Sequence, residues 1–108
     1  MDYILQAKLF KVFADANRLK IIDLLSCGEL CACDLLEHFT FTQPTLSHHM
    51  KLLEQANLIL ITKKGKWCYY RLNDSAFSKI QTDMNQLVST STHCVCHTET
   101  CQEDSHCD

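Results

Sequence analysis

The greatest chemical capacity in this sequence lies in its thiols. Eight cysteines occur in 108 residues. Two of them, Cys31 and Cys33, stand one residue apart in Glu29-Leu30-Cys31-Ala32-Cys33-Asp34-Leu35. Thiolates are soft donors and favour soft metal ions and metalloids over magnesium, calcium or manganese. Two thiols so spaced at a helix start can point at one such ion only if the first turn is irregular, because residues i and i+2 of a regular helix point to nearly opposite sides. Capture is therefore expected to distort the helix start. The helix N-terminus is expected to lower the thiol pKa and supply thiolate. Taken alone, a C-x-C has a plainer meaning as buried structural cysteine. Cys27, near a helix end, and Cys68, in a strand, read as packing residues.

A second group lies in the tail, where His93-Cys94-Val95-Cys96-His97 is followed by Cys101, His106 and Cys107. Cys94 or Cys96 can supply a third thiolate to the Cys31–Cys33 pair, or the cluster can bind metal by itself. Such tracts also have incidental affinity for metals. Residues 92–108 hold four acids, no Lys or Arg and almost nothing apolar. They are expected to be disordered without a ligand, which divides the chain into a folded domain over 1–91 and a tail over 92–108.

A third set of residues suits nucleic acid. Thr42-Gln43-Pro44-Thr45-Leu46-Ser47-His48-His49-Met50-Lys51 places Gln43, Ser47 and Lys51 at i, i+4 and i+8, with Thr45 and His48 beside them. Gln can grip adenine with two hydrogen bonds, Ser and Thr adapt to several base edges, and Lys51 can reach a phosphate. Lys63, Lys64 and Lys66 surround Gly65 and suit the backbone or minor groove. The net charge of −3 conceals this. Residues 1–91 carry ten Lys and Arg against nine Asp and Glu, and 41–72 carry five against one. The same polar positions also fit a merely solvated helix face. His49 reads as a hydrogen-bonded structural histidine, and Trp67, Tyr69 and Tyr70 as strand packing.

These residues need elements to hold them. Residues 3–14 predict an apolar helix with only Gln6, Lys8 and Lys11 facing water. Asp15 or Asn17 caps a second helix that Gly28 ends. A short third helix fits Cys31 to Phe39, with Leu35, Leu36 and Phe39 inward. Thr42 caps a fourth, with Pro44 in its first turn, where a missing N–H costs nothing. That helix runs to about Gln55 and buries Leu46, Met50 and Leu53. Residues 59–72 predict a two-stranded hairpin turning at Gly65. A fifth helix starts near residues 73–75 and aligns Phe77, Ile80, Met84 and Leu87. The fold class is mainly α with a small β-hairpin wing, a winged helix-turn-helix.

The N-terminal stretch has neither the pattern of a signal peptide nor a membrane-length apolar run, so the protein is expected in the cytoplasm, with no membrane partner. Thiols there stay reduced, which favours metal or redox chemistry over a disulfide scaffold. A thiol oxidoreductase or metal carrier needs a C-x-x-C after a strand or a nucleophile–base pair, and neither is present.

The two motifs in this order resemble the ArsR/SmtB family of metalloregulators, and within it arsenical-resistance operon repressors of the staphylococcal plasmid type. The resemblance covers roughly residues 5–90. It implies a homodimer held by the first and last helices, repression of an efflux operon and release of DNA by metal; a dimer with one reading helix and one wing per copy is in turn expected to need an inverted-repeat operator. On that basis Cys31 and Cys33 are inducer ligands for As(III) or Sb(III), and no cofactor is required for DNA binding. Cadmium or lead sensing, and thiol redox sensing, are the alternatives. Some arsenic-sensing relatives place a third cysteine at the position of Leu36. Cadmium- and lead-sensing relatives add cysteines near the N-terminus, and residues 1–26 have none. Others place them in the reading helix, and residues 43–55 have none. Residues 74–91 lack the histidines of the zinc-sensing pattern.

Overall fold

The computed structural model describes residues 2–89. Its elements are α1 (Tyr3–Phe13), α2 (Ala16–Leu25), β1 (Leu30–Cys31), α3 (Ala32–Leu36), α4 (Gln43–Gln55), β2 (Ile59–Lys64), β3 (Trp67–Leu72) and α5 (Asp74–Val88). Short acidic side chains start the first two helices. The Asp2 carboxylate accepts from the Ile4 and Leu5 amides, and that of Asp15 from Asn17 and Arg18, occupying donors that a helix start leaves open. Pro44 stands in the first turn of α4 as expected, although the Thr42 side chain makes no capping bond. Helix α4 stops because Asn57 takes the left-handed region at φ 64°, a helix ending that Asn tolerates better than most residues.

Among the described residues, those up to Phe77 form one compact unit, and 78–89 belong to a second. The core of the first is Ile21 and Leu25 of α2, Leu35 of α3, Leu46, Met50 and Leu53 of α4, and Leu58, Ile59 and Tyr70. Burial of each such aliphatic side chain stabilises by roughly 1.5–3 kcal/mol. Helix α4 is thus fixed by its apolar stripe, which leaves its polar positions outward. In the second unit, Lys79 pairs with Asp83 at 3.1 Å along α5, and Met84, Leu87 and Val88 are exposed.

Several expectations need correction. The sheet has three strands in the order β1-β3-β2, where two were expected. The added strand is two residues long, and its register pairs Leu30 with Tyr70 and Cys31 with Tyr69. Helix α3 ends at Leu36 rather than Phe39. Beyond it, Lys20 Nζ donates to the His38 carbonyl at 2.8 Å, and Phe39 stacks on Phe41 with ring centroids 4.6 Å apart. That aromatic pair meets the apolar demand that the sequence pattern ascribes to a longer helix. Gln6 does not face water; its Nε2 is buried without a partner among the described residues. Cys27 and Trp67 are exposed rather than packed.

Candidate functional site

Cys31 is the junction of two elements. It is the last residue of β1 and the N-cap of α3, with extended backbone at φ −84° and ψ 165°. Cys33 follows in the first turn, exposed, while Cys31 is half-buried. Because Cys31 stands outside the helix, the opposition of i and i+2 positions within a helix does not govern the pair. The sulfurs are close enough to influence each other. Desolvation pushes the Cys33 thiol above its ordinary range, and the Cys31 thiol, Asp34 and Glu37 push the same way. This reverses the expected lowering at Cys33. Helix α3 has only five residues, so its dipole is weak, and two carboxylates beside it act against the thiolate. Among the described residues, no group of three or more His, Cys, Asp or Glu could hold a metal. Cys31 and Cys33 therefore stand as a pair, and Cys94, Cys96 and the rest of the tail cluster lie outside the described residues.

On α4 all five candidate readers, Gln43, Thr45, Ser47, His48 and Lys51, are exposed, while Leu46, His49, Met50 and Leu53 are buried. His49 is 8% exposed. Arg18 Nη1 lies 3.3 Å from its Nδ1, and Arg18 Nε donates to the Val12 carbonyl at 2.7 Å. Guanidinium can only donate, so Nδ1 accepts and a neutral His49 carries its proton on Nε2. Burial pushes the His49 pKa down and Arg18 adds to that, against an opposing pull from Asp15. This anchor supports the reading of His49 as structural. It also brings in Arg18, which nothing in the sequence separates from the other polar residues of α2, Asn17, Lys20 and Asp23.

On the wing, Lys63, Lys64 and Lys66 are exposed around Gly65, whose φ of +64° makes the turn. Lys64 is partly engaged, 3.5 Å from a Glu29 carboxylate oxygen and 4.8 Å from the Tyr69 ring centroid. Tyr69 is the residue that Cys31 faces across the ladder. The thiol segment and the basic wing thus share one sheet, linked by β1 and by the Glu29–Lys64 ion pair. Nothing in the sequence pattern marks this link, because β1 falls within a predicted loop and helix start. None of these residues forms a nucleophile–base pair, and the exposed polar helix beside a basic hairpin can engage a duplex groove.

The model for the bacterial regulatory protein arsR family matches residues 15–60. The chain is 48% identical over 96 residues to an arsenical resistance operon repressor of Staphylococcus aureus, covering 89% of this chain and 92% of that one. A counterpart from Staphylococcus xylosus is 47% identical over the same shares. Among solved structures, a possible transcriptional regulator for arsenical resistance superposes with a TM-score of 0.67 at 26% identity, over 73% of this chain and 82% of the other.

Proposed function

The chain belongs to the arsR family of bacterial regulatory proteins and is a DNA-binding transcriptional repressor rather than an enzyme, and from that premise we propose that it binds an inverted-repeat operator as a homodimer in the cytoplasm and is released when Cys31 and Cys33 capture trivalent arsenic or antimony. The observation that carries this reading is the position of the thiol pair. Cys31 belongs at once to the strand that joins the wing and to the cap of the helix that precedes the reading helix. In the capture, each thiol replaces a hydroxyl of arsenous acid; an As–S bond forms, an As–O bond breaks and water leaves with the thiol proton. Joining both sulfurs to one atom would hold the β1–α3 junction in one arrangement, and a ligand shifts an equilibrium by its differential affinity for two states. The test is retardation of an operator fragment, reversed by arsenite under reducing conditions. Reversal by cadmium or lead but not arsenite would favour the metal-sensing alternative, and reversal by oxidant alone the redox one.

In this reading Gln43, Thr45, Ser47 and His48 contact bases, and Lys51, Lys63, Lys64 and Lys66 hold phosphates. Lys63→Ala is expected to weaken binding to every sequence and to lower the salt slope by about one unit. Lys64→Ala should do less, since Glu29 already competes for that ammonium. Gln43→Ala should cost roughly 1–3 kcal/mol on the operator and little on mixed-sequence DNA. Titrations at several salt concentrations on both duplexes check this. Equal losses on every sequence would remove α4 from the role of reader.

Truncation after residue 91 probes the third ligand. Operator binding is expected to survive. The arsenite concentration needed for release should rise if Cys94 or Cys96 completes the site. An unchanged response would leave Cys31 and Cys33 sufficient. Sulfur coordination by X-ray absorption, with and without the tail, reads the same difference directly.

A further inference from the structure

The chain contains a single tryptophan, Trp67, and it is 47% exposed at the start of β3. Residues directly opposite in an antiparallel ladder share a face, and alternate residues change face. The register of Lys64 with Trp67, Thr62 with Tyr69 and Leu60 with Arg71 puts Trp67 on one side with those residues. The other side carries Tyr70, which is 6% exposed and belongs to the core. Trp67 therefore lies on the outward face of the wing. Lys64 stands opposite it, and Lys66 Nζ is 6.0 Å from its ring centroid. Between them a Cβ at Gly65 would meet nothing within 4 Å, so the tip is open to close approach.

A lone exposed apolar residue has no special meaning. An exposed indole set between Lys64 and Lys66 is different, because the surface that complements it must be apolar and anionic together. The sugars and base edges in a duplex groove, flanked by phosphates, have that composition. We propose that Trp67 is a DNA-contacting residue of the wing, its indole packed into the groove while Lys64 and Lys66 hold the adjacent phosphates. This rests on the repressor reading above. It assigns to Trp67 the part of the wing's affinity that salt does not screen.

Because the indole is unique, its fluorescence reports on this contact alone. The full chain is titrated with a mixed-sequence duplex long enough for two half-sites, at low salt, while anisotropy of a labelled strand reports binding independently. Duplex binding is expected to shift the emission to shorter wavelength and to reduce quenching by acrylamide. Trp67→Ala should weaken binding on the order of tenfold on every sequence, as expected when burial of half an indole is lost. The salt slope should stay unchanged, since no phosphate contact is removed. Trp67→Phe should restore most of the affinity. Bound duplex with unaltered emission and unaltered acrylamide quenching would overturn the proposal. A shift that depends on protein concentration without DNA would also overturn it and assign Trp67 to contact between copies. If anisotropy shows no binding at any concentration, the repressor reading fails and this proposal with it.

Discussion

Cys31→Ser and Cys33→Ser are each expected to leave repression intact and to abolish its reversal by arsenite. Neither residue lies on α4 or on the β2–β3 turn, so neither change removes a proposed DNA contact. Serine keeps the size and extended backbone that the β1–α3 junction needs, but it offers no soft donor. Without arsenic–sulfur bonds the released conformation gains nothing from the ligand. Couplings of this kind are worth about 1–3 kcal/mol, or roughly 5–150-fold in operator affinity. The whole of that factor should vanish in each variant. The measurement is operator affinity with and without arsenite, in the presence of reductant. A variant that still lets go at the wild-type arsenite concentration would move the sensor to the other cysteines. One that cannot bind DNA at all would make these thiols structural.

The second large effect concerns assembly. In the proposed reading one reading helix and one wing cover a single half-site, so full affinity is expected to need two copies on half-sites about 34–36 Å apart or a multiple of that. Uncovered apolar side chains on α1 and on α5 are the candidate seam. Leu5 is 60% exposed and Leu87 48%, so each contributes less to the fold than the fully buried leucines do. Leu5→Glu or Leu87→Glu should therefore preserve the folded chain and oppose dimerisation by placing a charge in an apolar contact. Losing the second, intramolecular binding event should weaken operator affinity by about 100- to 10,000-fold. Sedimentation gives the oligomeric state and retardation gives the affinity. A monomer that binds one half-site at full strength would end this account.

Much of this architecture is legible because few residues compete for each role. Within a helix Pro44 fits only the first turn, Gly65 supplies the one turn in a run of strand formers, and Leu46, Met50 and Leu53 repeat at helical spacing. The exposed positions of Gln43, Thr45, Ser47, His48 and Lys51 follow from that stripe. What escapes the sequence depends on contacts between distant segments. The ladder pairing of Leu30 and Cys31 is set by Tyr69 and Tyr70, some forty residues on. The reach of Arg18 to His49 joins two helices. Periodicity predicts Phe39 to be helical because it records only that the ring must be covered, and Phe41 covers it. Trp67 misleads for a related reason, since an aromatic in a strand usually packs and only the register shows which face it takes.

Strand β1 has a consequence for the speed of any response. It contributes two residues to the ladder and lies at the sheet's edge. Local stability varies across a fold, and an edge segment with so few ladder bonds opens at a small fraction of the cost of global unfolding. The buried stripe of α4 sits at the opposite extreme. With the proposed sensor on the first and the proposed reader on the second, the protein would sample its ligand-accepting form while its DNA-reading surface stays folded. Induction in that reading would draw on a low-cost local opening, and recovery after the inducer is gone would require only that two residues zip back.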